Sequence, residues 1–166
     1  MMRVIVDTNV AVVANQRYSH ATPACAIACV ERLTLIEREQ TLVLDDQWFI
    51  LHEYMRQLRS KGQPGVGDRF LRWVLTNRAN PQRCEWVSIS PKHPGKDDGD
   101  FAEVANIPEL EHFDPADKKF VAVALIHPQH PPVINAVDTD WQDYREALEQ
   151  LGVTVEFVCG ELKLSR

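Results

Sequence analysis

Five acidic residues stand where secondary structure should change, and a carboxylate at such a junction either caps a helix or faces a ligand. Asp7 ends the β-branched run of VIVDTNV, Asp138 ends PVINAVD, and Asp140 follows two residues later in AVDTDW. If both runs are parallel strands, Asp7 and Asp138 leave the sheet at one carboxyl edge, where open α/β sheets bind ligands. Taken alone, Asp7 reads as an N-cap, and Asp138 or Asp140 as the cap of a helix beginning at Trp141. Asp117, in FDPADKKFVAVAL, falls at the third position of a helix that Asp114 caps and Pro115 opens, a setting that favours a carboxylate. It also heads the apolar stripe of Phe120, Val121, Ala124 and Leu125 and so points inward, with Lys118 and Lys119 projecting elsewhere. Cap and ligand both stay open for it. Glu53, in HEYM, has Arg56 and Gln57 beside it and reads by periodicity as part of a solvated helix face.

The elements that would position these acids alternate between strand and helix. A strand over 3–7 leads to helical segments near 10–17 and 23–39, and TLVLDD (41–46) runs into the helix QWFILHEYMRQLRS, stopped at Lys61-Gly62. After Pro64-Gly65 come the helix VGDRFLRWVLTNRA, the strand CEWVSIS and the loop PKHPGKDDGD. A short helix from Asp100, a longer one from Asp114, the strand PVINAVD, the helix WQDYREALEQL closed by Gly152 and the strand VTVEFV complete the chain. This rhythm predicts one α/β domain over residues 1–166, a doubly wound α/β/α sandwich on a mostly parallel sheet, with VIV and VTVEFV as central strands.

Composition sets outer limits. With 166 residues, 45% hydrophobic and 25% charged, the chain can bury a core. No run of eighteen apolar residues occurs, and Asp7 interrupts the amino-terminal apolar stretch, so the expectation is a cytoplasmic protein with no membrane span. Cys25 and Cys29 sit four apart in a helical run, Cys84 and Cys159 are isolated, and no Cys-x-x-Cys occurs; free, buried thiols are expected. DDGD at 97–100 does not fit an EF-hand, and Asp100 with Glu103 reads as a capping pair. His127 and His130 of HPQHPP read as exposed loop residues rather than zinc ligands.

In combination, VDTN, the helical Glu of HEYM, the helix start Asp117-x-x-Phe120 and the pair in VDTDW resemble, in order, the acidic motifs of PIN-domain nucleases. The resemblance runs from Arg3 to about Val158. It implies a metal-binding and catalytic quartet of Asp7, Glu53, Asp117 and Asp138, with Asp140 as an additional acid and Thr8 and Asn9 shaping the first loop. It further implies a Mg²⁺ or Mn²⁺ cofactor and an RNA substrate cleaved to a 5′-phosphate and a 3′-hydroxyl. A small antitoxin partner and a homodimer belong to the same family pattern, although the segment from Glu85 to Glu111 exceeds what a minimal toxin needs.

Elementary electrostatics agrees with a cation. Clustered carboxylates repel one another until some take up protons or a cation intervenes, and an all-oxygen set without His or Cys suits a hard divalent ion. The net charge of −6 is a poor start for a nucleic-acid binder, but residues 56–96 carry nine basic side chains against two acidic ones. Arg56, Arg59, Arg69 and Arg72 are the candidates for phosphate contact, while Trp73 reads as core. A metal-dependent endoribonuclease is the leading function. An inactive nucleic-acid or protein-binding module on the same fold comes next, and a phosphoacceptor domain last, because no lysine ends the late strand VEFVCGE.

Overall fold

The computed structural model describes residues 1–18 and 20–160. The span expected for the domain thus includes residues 161–166, which lie outside the described part. Five short strands form one all-parallel sheet: β1 (Arg3–Val6), β2 (Thr41–Asp45), β3 (Cys84–Val87), β4 (Val133–Asn135) and β5 (Val155–Phe157). Their spatial order is β3-β2-β1-β4-β5. Pairing is anchored by Val4 opposite Leu42 and by Val6 opposite Ile134, and it places the carboxyl ends of all five strands at one edge. The chain therefore winds outward from β1 in two directions. Since parallel crossovers are right-handed, the connecting helices cover both faces, giving an α/β/α sandwich.

Seven α-helices are present among the described residues: α1 (Thr8–Ala14), α2 (Pro23–Glu39), α3 (Phe49–Gln57), α4 (Val66–Asn77), α5 (Lys118–Ile126), α6 (Thr139–Asp143) and α7 (Arg145–Gln150). Val4, Ile5 and Val6 are fully buried, as expected for a central strand covered on both faces. β5 is an edge strand rather than a central one; its Glu156 binds Arg32 of α2 (Nε to Oε2, 2.5 Å), which suits the rim of a sheet. α1 and α4 approach closely because position 67 is Gly, where a Cβ would lie 1.9 Å from the Ala11 carbonyl oxygen. Tyr54 ties α3 to the central strand by donating its hydroxyl to the Val6 carbonyl at 2.6 Å.

Several expected elements are trimmed or replaced. α1 begins at Thr8 because Asp7 caps it, and α3 is shorter than 47–60 because Trp48 is left-handed and Leu58 extended. The helix expected from Asp100 is a series of turns with a 3₁₀ turn at Pro108–Leu110. Glu103 is spent elsewhere, accepting from the backbone N–H of Ser90 at 2.6 Å, so the capping pair does not form. The helix expected over 141–151 is two, broken at Tyr144.

The cysteine expectation is corrected as well. Cys25 of α2 and Cys159, which follows β5, form a disulfide, while Cys29 and Cys84 are free and buried. Residues 134 positions apart become neighbours only through the sheet, which linear spacing does not reveal. No helix of the described residues is long and apolar enough to cross a membrane.

Candidate metal centre

The first acid reaches the site through its own cap. The Asp7 carboxylate accepts from the N–H of Asn9 at 3.1 Å, which starts α1, while its other oxygen accepts from the indole N–H of Trp141 at 2.7 Å. Trp141 is fully buried, held edge-on against Phe113 with ring centres 5.0 Å apart. Asn9 ties two strand ends together: its amide donates to Asn135 Oδ1 at 2.7 Å and accepts from the N–H of Ala136 at 2.9 Å. Asp138 repeats the device at the end of β4, capping α6 by accepting from the N–H of Asp140 at 3.0 Å. Asp7 and Asp138 thus leave neighbouring parallel strands at the same edge, as the topology requires.

Asp117 arrives from the opposite wall. Asp114 accepts from Ala116 N–H at 3.0 Å, and Pro115–Asp117 forms a 3₁₀ turn leading into α5. Gly99, at φ +84°, packs its α-carbon on Pro115, where a Cβ would lie 2.7 Å from the proline ring, so the 91–100 loop braces this turn. Carboxylate oxygens of Asp7, Asp117 and Asp138 all lie within 4.8 Å of one another, and those of Asp114, Asp117 and Asp140 form a second such triad. Asp117 is shared between them. It is 94% buried, and its Oδ2 has no hydrogen-bond partner among the described residues. All of the first triad line a cleft of about 380 Å³ together with Thr8, Asn9 and Glu53.

Burial and, after it, repulsion between carboxylates raise the acids of this cleft. Burial first, then the carboxylate of Asp7 and the adjacent Asp138, push Asp117 up to about 10. Asp7 rises to about 7, from burial and the charges of Glu53 and Asp138, against the lowering bonds from Asn9 and Trp141. Asp140 is raised in the same direction, by burial and then by Asp138 and Asp114.

Glu53 is in the cleft and not on a solvated face; it is 93% buried. One oxygen accepts from the Thr8 hydroxyl and the other from Lys119 Nζ at 3.0 Å, and it joins neither oxygen triad. Lys119 does not project outward as the helical wheel suggested. Its ammonium, 99% buried, also pairs with Asp97 of the 91–100 loop at 3.0 Å and donates to the Ala116 carbonyl. Burial alone would lower its pKa, but Glu53 and Asp97 outweigh it and hold it above the ordinary lysine value. An apolar-stripe argument misses Lys119 because a long side chain at a helix start can turn back along its own first turn.

The four candidate arginines are not in this cleft. Arg69 and Arg72 line a separate groove of about 450 Å³ with Glu37 and Trp73, and the Arg72 guanidinium is held by the Ser60 carbonyl at 2.9 Å. Arg56 and Arg59 are exposed at and just beyond the end of α3. Trp73 stacks on Phe70 against the core, as its spacing suggested. His127 is buried rather than exposed, with Nε2 2.8 Å from Glu85 Oε1; only His130 is exposed.

A hard divalent cation fits this donor set. The cleft offers three carboxylates with oxygens within 4.8 Å of one another, one buried carboxylate oxygen without a partner among the described residues, and repulsion that a cation would relieve. Sequence reasoning missed Asp114 and Trp141 as partners of the site. An acid three residues before Asp117 that begins the same turn was the available signal for Asp114, whereas nothing in the linear sequence joins Trp141 to Asp7. In comparisons with known proteins, no protein-family model, no curated protein and no solved structure matches the chain.

Proposed function

We propose that the chain is a PIN-like, Mg²⁺- or Mn²⁺-dependent ribonuclease that hydrolyses phosphodiester bonds at the cleft of Asp7, Glu53, Asp117 and Asp138. The observation that carries this reading is Asp117, 94% buried, with its Oδ2 unpartnered among the described residues and a carboxylate oxygen within 4.8 Å of those of Asp7 and Asp138. A structural cap does not need two further acids beside it, and leaving them unpaired is costly unless a cation binds.

Asp7, Asp117 and Asp138 would hold the ion, which when bound neutralises the acids and activates water toward phosphorus. The protein's own work is positional. Trp141 fixes the rotamer of Asp7, and the Asp114 turn aims Asp117 at it. Thr8 and Lys119 hold the Glu53 carboxylate in the cleft, placed to orient a water or accept its proton. The electrostatic set is complete before substrate arrives, so little reorganisation is needed at the moment of reaction.

The test is cleavage of an end-labelled single-stranded RNA by the wild type and by Asp7→Asn, with Mn²⁺, with Mg²⁺ and with chelator. Cleavage that needs the ion and disappears in the variant is the expected result. Equal traces from two folded proteins would refute the enzyme and leave an inactive binding module. The small antitoxin and the homodimer rest on the motif resemblance, and co-purification from the host tests both.

A further inference from the structure

Trp48 is placed in a way the core does not require. Its backbone lies at φ +67° and ψ 22°, the left-handed region, which a bulky side chain rarely adopts and which Gly or Asn fills at less cost. The surrounding contacts hold it there. Asp45 caps the helix that follows by accepting from the N–H groups of Phe49 and Ile50, both at 2.9 Å, and Gln47 donates to the Ile89 carbonyl at 2.9 Å. The outcome of this strain is an aromatic surface. Trp48 stacks on Trp86 of β3 with ring centres 5.9 Å apart and planes 23° from parallel, and the His52 ring stands edge-on at 6.1 Å. Even so, Trp48 remains 37% exposed.

Three observations say what this surface would take. It lies at the carboxyl edge of the sheet, because Trp48 follows the end of β2 and Trp86 is the penultimate residue of the parallel β3; Asp7 and Asp138 leave the sheet at the same edge. Trp48 is also the residue from which α3 starts, the helix that carries Glu53 into the cleft. Finally, Trp86 donates its indole N–H to the carbonyl of exposed Arg78 at 2.8 Å, within the segment of nine basic against two acidic residues. An exposed aromatic face whose supporting Trp86 belongs to that basic segment complements a strand whose bases are unpaired and whose backbone is anionic.

We infer that Trp48, backed by Trp86, is a stacking platform for an unpaired nucleobase of the RNA that enters the acidic cleft. This assignment rests on the ribonuclease reading, and it explains why a strained tryptophan stands where glycine would be easier. Stacking is indifferent to base identity, so the platform selects single strands over duplex and not one sequence over another.

The experiment measures binding of the intact chain, in chelator so that nothing is cleaved, to a labelled oligouridylate and to an abasic oligomer of equal length. The variants are Trp48→Gly, which removes the ring at a position that suits glycine, and Trp48→Tyr, which restores an aromatic face. The wild type should prefer the base-bearing strand by about tenfold, the scale of one stacked base. Trp48→Gly should lose that preference while binding the abasic strand unchanged, and Trp48→Tyr should regain most of it. Equal preference in the wild type and a folded Trp48→Gly overturns the platform, and if the wild type still cleaves RNA in Mn²⁺ the ribonuclease reading stands without it. A platform that binds as expected on a protein that never cleaves would keep this inference and remove the enzyme. Failure of the wild type to bind either strand overturns the platform as well.

Discussion

Asp68 and Asp117 are both acids in the first turn of a helical segment and both deeply buried, yet their surroundings are opposite. Asp68 is saturated. It accepts from the N–H groups of Arg59 at 2.8 Å and Gly65 at 3.0 Å, from the Asn15 amide at 2.8 Å and from the Arg17 guanidinium at 2.8 Å. Burial alone would raise its pKa, but these donors outweigh it and hold the carboxyl below the ordinary range. Asp117 meets other carboxylates instead, keeps one oxygen unpartnered and is pushed up to about 10. One acid has its counter-charge built into the fold; the other has none among the described residues, and under the proposed function a cation would supply it. Burial of a carboxylate is therefore no sign of function by itself, and the sign lies in what faces it.

Substitutions at these two positions should separate in kind. Asp117→Asn should cut metal-dependent RNA cleavage by at least about 10³-fold, the scale expected when a central electrostatic element is removed. The same change should raise the melting temperature of the metal-free protein, because it relieves repulsion; a fall would break the contrast. Asp68→Ala should act the other way, lowering stability by about 3 kcal/mol in denaturant titration, since the Arg59 and Gly65 N–H groups and Arg17 lose their acceptor. Activity measured on its folded fraction should stay near the wild-type value.

A smaller effect sharpens the comparison from outside the carboxylates. Trp141→Phe keeps the packing against Phe113 but removes the donor to Asp7, and should weaken Mn²⁺ binding by about 10- to 100-fold, as loss of a ligand's supporting hydrogen bond typically does. Calorimetric titration with Mn²⁺ would show it. The mildest expectation concerns pH. Asp7 and Asp117 have folded pKa values above their unfolded ones, so between about pH 4 and pH 7 the folded state binds more protons. Their contribution favours the metal-free fold at the acid end and is lost as pH rises through those folded values. Asp68, with its lowered pKa, contributes in the opposite sense: its stabilisation is present above the unfolded value and is lost as pH falls through the folded one. Thermal scans of wild type and Asp117→Asn between pH 5 and pH 8 should show the variant losing less stability with rising pH, and saturating Mn²⁺ should flatten the wild-type curve.

Much of the site was legible because its acids sit at chain junctions that local chemistry marks. Asp7 and Asp138 end strand runs, so their common sheet edge followed from parallel topology, and Asp114 with Pro115 announces the helix start that carries Asp117. Glu53 was read wrongly from periodicity because Arg56 and Gln57 flank it on the wheel, whereas Thr8 and Lys119 reach it from other elements. The composition of VTVEFV suggests a central strand, but β5 lies at the edge, because position within a sheet depends on which strands pair and not on how apolar each one is.

The sequence alone determined the βα rhythm, the parallel sheet and two acids at its carboxyl edge, because strand pattern, caps and turn residues act over a few positions. Only the tertiary structure decided that Lys119 pairs with Glu53 and Asp97, that Trp141 holds Asp7, that the arginines of α4 line another groove and that Cys25 bonds Cys159. Each of those facts joins residues from different elements, and their meeting depends on crossover direction and side-chain reach, quantities that no local pattern encodes.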